Sequence, residues 1–499
     1  MFRKTLFKEV LVKKGSREML SMAIKRRVWK DKFSDWYREF IDTAKIIDYR
    51  YPIKGCGVWL PYGFKLREHV LRVIRDFLDG IGHQEMLFPM LIPEDLIAKE
   101  STHIKSFEDE AYWITHGGRN ELGVKLALRP TSETAITPMV KLWVRSHADL
   151  PLKIYQIGSI FRYETKATKP LIRVREVTTF KEAHTFHVSH EESRAQVLAA
   201  NDIYAKIFDE LCVPYVVSER PSWDRFAGAL STFAFDTIFP DGRCLQIGTS
   251  HDLGQNFSKV FDLTFEDLGG KHDFVWQTSY GISERAIAAV IAVHGDDRGL
   301  VFPPKIAPIQ VVVIPIHYKG FEEQINSECQ RVEAALSQEG FRVKIDNRPK
   351  LTPGSKFYEW ESKGVPLRIE IGPRDIKQGK VTLARRDTGE KMPCERSSLT
   401  LIGKMLVEIG ENLKKRAWKV MEDHISTTGD VIEAKRVLNK DGGIVEIPWC
   451  GQAACGQRIE VEVDARVLGL PLGARGAVSD ECPSCGMKGE HRIRVARSY

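Results

Sequence analysis

The feature that most constrains the fold is a series of short strand-like runs between residues 85 and 188 that no regular helix separates. These runs cover 85–91, 124–128, 152–162 and 178–188. A doubly wound parallel sheet needs a helical crossover between nearly all of its neighbouring strands. The pattern therefore predicts an α+β fold, whose first domain is a largely antiparallel sheet flanked by helices.

Apolar spacing and capping residues predict the helices around this sheet. A 3.6-residue period of apolar side chains predicts helices over 20–47 and 64–80. The capping-box pattern that begins at Ser189 predicts a helix over 189–211. A nearly continuous apolar stretch predicts a buried helix over 282–294, where the first domain is expected to end.

The chain is long enough for several domains, because 499 residues exceed what one hydrophobic core usually serves. Three prolines within 301–308 indicate a linker. Beyond it, strand-like and helix-like segments alternate, which predicts a compact α/β domain. The predicted division is 1–300, 301–405 and 406–499, and the last part is expected to be a small α+β domain that binds a metal.

Four of the nine cysteines are grouped near the C-terminus with the spacing of metal ligands. They are Cys450, Cys455, Cys482 and Cys485, and glycine directly follows three of them. Two short loops that each supply two thiolates suit a tetrahedral structural zinc, which needs no open position for water. An iron–sulfur cluster and unliganded core thiols are the alternatives.

The remaining composition indicates the compartment and allows a nucleic-acid partner. The other five cysteines stand singly, as expected of reduced thiols in a cytosol. No stretch approaches the roughly 18 apolar residues of a membrane span, and no signal peptide is recognisable. We therefore expect a cytoplasmic protein without a membrane partner. The net charge of +7 permits a polyanionic partner, but an ordinary solvated surface explains it equally well.

A basic hairpin is the first candidate for phosphate binding. Arg162 lies at the end of one strand-like run, and a polar loop through Arg173 leads to a second strand, which holds Phe180, Glu182 and His184. An arginine on a sheet can clamp a phosphate with two parallel hydrogen bonds, and cations in the loop can gather the rest of a triphosphate. Taken alone, the segment also fits a surface hairpin held by a salt bridge.

A further motif, Tyr280-Gly281-Ile282-Ser283-Glu284-Arg285, lies where a strand meets the buried helix. In this order, the pieces resemble the three motifs of the class II aminoacyl-tRNA synthetases. The helix and strand that end at Pro89 match the first motif, Arg162 and Glu164 match the Arg-x-Glu of the second, and Arg285 matches the terminal arginine of the third. The chain departs from the family at Ser283-Glu284, where many members have Gly-x-Gly.

Further residues resemble the prolyl members of that class. Thr131-Ser132-Glu133 is similar to their substrate-binding triplet, 246–251 to their next pocket strand, and 363–375 to part of their anticodon-binding domain. The four-cysteine tail is typical of the form found in archaea and some bacteria. The resemblance covers essentially the whole chain.

The resemblance implies ATP-dependent attachment of proline to tRNA(Pro) through a prolyl-adenylate, with Mg²⁺ accompanying ATP, a structural Zn²⁺ and a homodimer. Arg162 and Arg285 are implied to be catalytic. The implied proline site consists of Thr131, Glu133, Arg162, Phe180, Glu182, His184 and His251. The implied ATP site consists of Arg162, Glu164, Arg173, Gln246, Thr249, Ser283 and Arg285. Candidate residues for reading the anticodon are Asp346, Arg348, Lys356, Phe357, Arg368 and Glu370.

Two other functions stay open from the residues alone. One is a class II synthetase for another small amino acid, and the other is a non-catalytic, synthetase-like protein that binds RNA. The 96 residues between His184 and Gly281 leave no room for the inserted editing domain of the bacterial prolyl type. By resemblance, the carboxylate of Tyr499 is expected to reach toward the active site, and a frayed terminus is the alternative.

Overall fold

The computed structural model describes residues 27–100, 110–473 and 480–499. The part of the predicted helix 20–47 that precedes Arg27 lies outside these residues. The described part forms two helices, and the second ends at Thr43. The prediction is wrong for the last residues, because Lys45 adopts a left-handed φ of 60° and turns the chain out of the helix.

The helices of the first 300 residues pack around the main sheet. Their bounds are α1 Arg27–Asp31, α2 Phe33–Thr43, α3 Pro61–Asp79, α4 Glu94–Glu100, α5 Glu133–Trp143, α6 His190–Glu210, α7 Asn256–Phe261 and α8 Arg285–His294. The predicted apolar stripe of α3 is buried, as its helical period requires. The Ser189 hydroxyl caps α6 by accepting a hydrogen bond from the amide of Glu192 at 3.2 Å, which confirms this helix start.

The strands of the same region include three of the four predicted runs, those at 124–128, 152–162 and 178–188. Their bounds are β1 Ile47–Asp48, β2 Val58–Trp59, β3 Gln84–Glu85, β4 Leu91–Pro93, β5 Tyr112–Gly117, β6 Asn120–Leu128, β7 Leu152–Phe161, β8 Glu176–His187, β9 Val216–Glu219, β10 Ser231–Ile238, β11 Cys244–Gly254, β12 Thr264–Glu266, β13 His272–Phe274, β14 Trp276–Ser283 and β15 Leu300–Val301. The hairpin predicted at the Asp241-Gly242 turn is formed by β10 and β11.

Two predicted boundaries in this region are wrong. The run 85–91 is not one strand, because the Phe88 amide donates to the Gln156 side chain and its carbonyl accepts from Arg129 instead of pairing with a strand. The buried helix starts at Arg285 rather than at 282, because the residues before it still pair with β8 and β11 in β14.

The predicted α/β domain follows. Its strands are β16 Val311–Pro315, β17 Val343–Ile345, β18 Lys363–Gly364, β19 Leu367–Ile371, β20 Lys380–Arg385 and β21 Lys391–Glu395, and its helices are α9 Glu322–Gln338, α10 Pro353–Ser362, α11 Pro373–Gln378 and α12 Leu401–Glu422. Five strands form a sheet in the order β17-β16-β19-β20-β21. The first three are parallel, as the alternation of strands and helices predicts.

The segment 301–308 is not an exposed linker. Seven of its eight residues are buried, with Lys305 the exception, and β15 pairs in parallel with β18. Phe302, Ile306 and Ala307 of this segment belong to the main hydrophobic core, so its burial is favourable. The first two domains are therefore joined by a packed segment.

The C-terminal part adds strands to the main sheet. Its elements are β22 Ile425–Thr427, β23 Ile444–Trp449, β24 Arg466–Pro471, β25 His491–Ala496, α13 Val431–Lys440 and α14 Ala453–Val463. Because β24 pairs with β9, one sheet of eleven described strands runs in the order β22-β23-β25-β24-β9-β10-β11-β14-β8-β7-β3. Only the pairs β22–β23 and β3–β7 are parallel, which confirms the largely antiparallel prediction.

Candidate active site

An open cavity of about 1360 Å³, counting the space at its mouth, lies over the central strands of this sheet. Strands β7, β8, β11 and β14, the loop 162–175 and the start of α8 supply its walls. All thirteen side chains predicted for proline and ATP line it. They come from positions between 131 and 285, so the fold brings distant motifs to one place. Their individual roles stay predictions.

One end of the cavity carries two buried carboxyl groups. The Thr131 hydroxyl donates to the Glu133 carboxylate, and it lies 3.4 Å from Oε1 of Glu182. Nε2 of Gln156 lies 3.4 Å from the other oxygen of Glu182. Burial, and then the neighbouring Glu133, raise the pKa of Glu182 to about 7. This end therefore attracts a cation that can donate hydrogen bonds.

Arg129 supports this end of the cavity by binding strand β7 and the segment at Phe88. Its buried guanidinium donates to the carbonyls of Ser159 and Phe88, at 2.9 and 3.0 Å, and to Oε1 of Gln156 at 2.9 Å. Gly158 makes room for it, because a Cβ there would lie 2.4 Å from Nη2 of Arg129. Arg129 lies two residues before Thr131 in the sequence, but its supporting contacts could not be read from spacing.

The wall beside the carboxyl groups is neutral and partly aromatic. The ring nitrogens of His251 lie 3.0 Å from the Thr232 hydroxyl and 3.1 Å from the Thr249 hydroxyl. The Phe226 ring lies 4.7 Å from the His251 ring. Burial lowers the pKa of His251 to about 4, so the imidazole is neutral at pH 7. Burial also lowers the pKa of His184. This wall suits a small apolar ring.

The other end of the cavity is cationic. Nε of Arg285 donates to the Ile172 carbonyl at 2.9 Å, and Nε of Arg162 donates to the Pro130 carbonyl at 3.2 Å. Burial, and then the charges of Arg162 and Arg173, lower the pKa of Arg285 to about 10. The guanidinium groups of Arg162 and Arg173 thus disfavour the charge of Arg285, and a polyanion such as a triphosphate removes that repulsion.

The departure from the family at Ser283-Glu284 has a structural explanation. The Ser283 hydroxyl accepts a hydrogen bond from the amide of Arg285 at 3.3 Å, so it binds the first backbone amide of α8. The Glu284 carboxylate turns to β8, where it accepts from the amide and hydroxyl of Thr178 at 3.0 and 3.1 Å. Burial raises the pKa of Glu284 to about 7. Neither side chain obstructs the guanidinium of Arg285.

Several residues that line the cavity are absent from the motifs. They are Arg220, Asp224, Arg225, Phe226 and Thr232. Most of them follow β9 or lie on β10, where the sequence carries only a weak turn pattern. No spacing in the chain singles them out, because the strand pairing that brings them here is not local.

The terminal residue lies beside the loop of the second motif. The Tyr499 ring contacts Phe239, with centroids 5.3 Å apart, and Nζ of Lys169 lies 4.2 Å from its centre. Its hydroxyl donates to Asp241 at 2.6 Å. These contacts hold the Tyr499 side chain against the protein. The expected approach of its carboxylate to the active site stays a prediction.

The four grouped cysteines come together in space. Their sulfur atoms all lie within 4.8 Å of one another, and those of Cys450 and Cys485 are 3.6 Å apart. Sulfurs bound to one tetrahedral zinc at about 2.3 Å lie about 3.8 Å from each other. The donor set therefore fits a Cys₄ metal centre.

The candidate anticodon-reading residues largely contact each other. The Asp346 carboxylate accepts from Arg348 and from the Trp360 indole, and Lys356 donates to the Asp346 carbonyl. Arg368 donates to Glu370 at 3.0 Å. Asp346, Lys356, Arg368 and Glu370 are buried. The sequence could not distinguish this internal network from base-reading side chains. The partly exposed Arg348 and Phe357 are better placed to meet RNA.

Comparison with known proteins agrees with this geometry. The family described as "tRNA synthetase class II core domain (G, H, P, S and T)" matches residues 112–294, "Anticodon binding domain" matches 310–406, and "Prolyl-tRNA synthetase, C-terminal" matches 431–499. A proline–tRNA ligase of Saccharolobus islandicus is 51% identical over 482 residues, which is 96% of this chain and 100% of the relative. The chain belongs to the prolyl-tRNA synthetases.

Other relatives support the same family. A proline–tRNA ligase of Methanopyrus kandleri is 52% identical over 468 residues, 94% of this chain and 96% of that protein. The solved structure of a Giardia lamblia prolyl-tRNA synthetase in complex with prolyl-adenylate has a TM-score of 0.91 and 35% identity, covering 96% of this chain and 100% of that one. The synthetase described here is thus a class II enzyme, and its reaction is the ATP-dependent attachment of proline to tRNA.

Proposed function

We propose that the cavity activates L-proline with ATP as prolyl-adenylate and passes the prolyl group to tRNA(Pro), with Arg162 and Arg285 as the catalytic residues. An oxygen of the proline carboxylate attacks the α-phosphorus, and pyrophosphate leaves. The terminal ribose hydroxyl of the tRNA then attacks the prolyl carbonyl, and AMP leaves. Neither step needs a protein nucleophile, so the protein contributes orientation and charge stabilisation.

The observation that carries this proposal is the separation of charge along one cavity. Glu133 and Glu182 lie at one end of the cavity, and Arg173 and Arg285 lie at the other. Arg162 directly follows strand β7 between them, where it interacts with the charges of both carboxyl groups and with that of Arg285. Proline has a cationic and an anionic end, so it fits with its ammonium at the carboxyl groups and its carboxylate toward Arg162. The reacting carboxylate then points to the triphosphate end.

Recognition of proline is assigned to the carboxyl end. Glu133 and Glu182 accept hydrogen bonds from the secondary ammonium, and Thr131 holds Glu133 in place. Phe180, His184 and His251 enclose the ring. Because a pocket discriminates by only about 1–3 kcal/mol per methylene, a small rival such as alanine is excluded incompletely.

Recognition of ATP is assigned to the cationic end. Arg162 and Arg285 contact the phosphates, and Arg173, Gln246, Thr249 and Ser283 hold the rest of the nucleotide. Mg²⁺ fits this end, because it takes phosphate oxygens, water and one or two protein oxygens. The Glu164 carboxylate and the Thr249 hydroxyl are the groups that would hold it. When bound, it would neutralise charge on the phosphates.

A structural Zn²⁺ is assigned to Cys450, Cys455, Cys482 and Cys485. The sulfur spacing fits it, and Cys455 lies in the first turn of α14, which begins three residues after Cys450. The metal would connect the two loops, which 26 residues separate in sequence. Metal analysis should find one zinc per chain, and a content far below one would contradict the assignment.

The partners and the domain division are further proposals. The unit 310–406 is assigned to the anticodon of the tRNA, by analogy with the family that matches it. The first boundary is placed near 300. The second, predicted at 405, falls inside α12, and we place it after Glu422 because the first half of α12 packs on the α/β core.

The compartment is also a proposal. Nine cysteines without a disulfide bond and a tRNA substrate suit the cytoplasm. No described helix is long and apolar enough to cross a membrane.

A homodimer is proposed from an exposed apolar surface beside the edge strand β3. This surface consists of Leu87, Met90, Leu91, Leu142 and Trp143. Its two parts are in contact, because the Phe88 and Trp143 rings lie 6.0 Å apart. Exposed apolar residues grouped beside an unpaired sheet edge are typical of protein interfaces.

The experiment that tests the function is amino-acid-dependent exchange of labelled pyrophosphate into ATP, with each of the twenty amino acids. Exchange with proline is expected to exceed exchange with any other amino acid. Preference for another small amino acid would contradict the substrate assignment, and exchange with none would contradict catalysis.

A further inference from the structure

A buried arginine outside the motifs connects the C-terminal strand to the nucleotide pocket. Arg220 follows β9, and its side chain is 5% exposed. Its Nη1 donates to the Leu468 carbonyl on β24 at 2.5 Å. Its Nη2 donates to Oδ1 of Asp236 at 2.9 Å and to Oε1 of Gln246 at 3.1 Å. One planar group therefore joins three separate strands.

The hydrogen bond from Arg220 decides which atom of the Gln246 side-chain amide is free to face the cavity. A glutamine amide has one oxygen that accepts and one NH₂ group that donates. Since the oxygen accepts from Arg220, the NH₂ group is left to meet a ligand. Arg220 and Gln246 both line the cavity. A donor in this place suits a phosphate oxygen.

Gln246 is also tied to a catalytic arginine. Its backbone carbonyl lies 3.5 Å from Nη1 of Arg285. Asp236 lies opposite Gln246 in the β10–β11 pairing and balances the charge of Arg220. Asp224 lies 3.7 Å from Nε of the same guanidinium. The position of Arg220 thus affects a residue that contacts both the pocket and Arg285.

Strand β24 packs directly against β9, so its position can affect Arg220. Leu470 and Pro471 pair with Glu219 and Ser218 of β9. A Cβ on Gly469 would lie 2.0 Å from the Glu219 carbonyl oxygen, so the backbones are in direct contact. A shift of β24 would therefore move the carbonyl that accepts from Arg220.

We propose that Arg220 is a positioning residue for ATP, which fixes the donor orientation of Gln246 and makes it depend on the C-terminal strand β24. The inference rests on the proposed role of Gln246 in binding ATP. It adds a residue that does not touch the reacting atoms, and it explains why β24 continues the catalytic sheet.

The chain supplies a matched control in Arg494. Its Nη1 donates to the Val217 carbonyl at 2.9 Å and lies 3.3 Å from the Ser218 hydroxyl, while its Nε donates to Glu446. It therefore also joins the C-terminal strands to β9. It does not line the cavity described here. Its loss weakens the attachment of β25 to β9 and leaves the contacts of Arg220 with Leu468 of β24 and with Gln246 in place.

The test measures KM for ATP and KM for proline in pyrophosphate exchange, together with the melting temperature. Arg220→Met is combined with Asp236→Asn, so that no unpaired carboxylate is left buried, and Asp236→Asn alone is the reference. The combined variant should raise KM for ATP about tenfold, the effect of losing one oriented hydrogen bond. KM for proline should stay within about twofold, and Arg494→Met should change neither KM by more than that.

A double-mutant comparison separates positioning from general weakening. Gln246→Ala should raise KM for ATP, and adding Arg220→Met with Asp236→Asn should then have no further effect, since both act through one contact. Additive effects, or equal rises in both KM values, would overturn the proposal. If the combined variant does not fold, Arg220→Lys should show the same selective rise, because an ammonium cannot reproduce the planar donor geometry. If Gln246→Ala itself leaves KM for ATP unchanged, the proposed role of Gln246 fails instead.

Discussion

At the scale of single residues, Glu182 is the group whose protonation decides how the cavity receives its substrate. Its carboxyl group is buried beside Glu133, and its pKa is about 7 instead of its ordinary 4.5. The other charged groups that act on it are Arg129, Arg162 and the buried Lys181. In the empty pocket, the proton is therefore lost only as the pH rises through about 7.

This predicts that proline binds more tightly as the pH rises from 6 to 8. A proline ammonium favours the ionised form of Glu182, so binding below its pKa must release a proton. KM for proline should fall by up to about tenfold per pH unit below pH 7 and level off above it. KM for proline, measured by pyrophosphate exchange across this range, checks the prediction.

Two variants identify the group. Glu182→Gln should raise KM for proline and abolish its pH dependence. Glu284 also has a pKa of about 7, but it is bonded to Thr178, so Glu284→Gln should retain the dependence. A pH-dependent KM in the Glu182→Gln variant would show that another group is responsible.

Site residues that belong to a continuous sequence motif could be predicted. Residues that reach the site only because distant strands pair with each other could not. Arg162 and Arg285 were recognisable because each lies at the end of a strand in a characteristic sequence. Arg220 has no such signal, since its partners lie on β10, β11 and β24. The same holds for the contact between Asp346 and the Trp360 indole, which joins residues 14 positions apart.

At the scale of elements, the sequence predicted most helices and strands but misplaced the ends that tertiary contacts decide. The α3 helix follows from its apolar period, and β10–β11 from the turn between them. The run 85–91 contains apolar residues suited to a strand, yet Arg129 and Gln156 take its backbone hydrogen bonds. A side chain from another segment cannot be read from local spacing.

Gly469 provides a test of the junction between β24 and β9. It has a φ of 111°, and a Cβ would lie 2.0 Å from the Glu219 carbonyl. Gly469→Ala should therefore lower the free energy of unfolding by at least the roughly 1–3 kcal/mol expected of backbone strain. It should also raise KM for ATP, because β24 carries the acceptor of Arg220. Thermal or denaturant unfolding and exchange kinetics measure both effects.

Gly473 is the matched control. It also has a positive φ, of 82°, but a Cβ there meets no atom of the described residues within 4 Å. Gly473→Ala should lower the free energy of unfolding only by the strain of a positive φ at alanine, and it should leave KM for ATP unchanged. Equal loss of stability in the two variants would mean that the contact with Glu219 is unimportant.

At the scale of the whole molecule, the C-terminal part is built into the catalytic sheet. Strand β24 and its partner β9 are separated by about 250 residues of sequence, so no local pattern could predict their pairing. The sequence did predict the three kinds of domain, since each has its own periodicity or cysteine spacing. The relation between them is what the structure adds.

The proposed dimer is tested by the mass in solution. The wild type should have twice the 56.8 kDa of one chain at micromolar concentration. Leu87→Glu places a charge in the proposed interface and should shift the mass toward one chain, as measured by light scattering. Val461 has the same 79% exposure on α14, so Val461→Glu should leave the dimer intact. A monomeric wild type would contradict the proposal.

The most direct test of the central claim is the rate of proline-dependent pyrophosphate exchange in the wild type, Arg162→Ala and Arg162→Lys. Arg162 lies between the carboxyl end and the triphosphate end, so its loss should lower the rate roughly a hundredfold or more, as for removal of a main charge stabiliser. Lysine should restore only part of the rate, because it cannot form two parallel hydrogen bonds. Exchange at the wild-type rate in a folded Arg162→Ala variant would contradict this account of the active site.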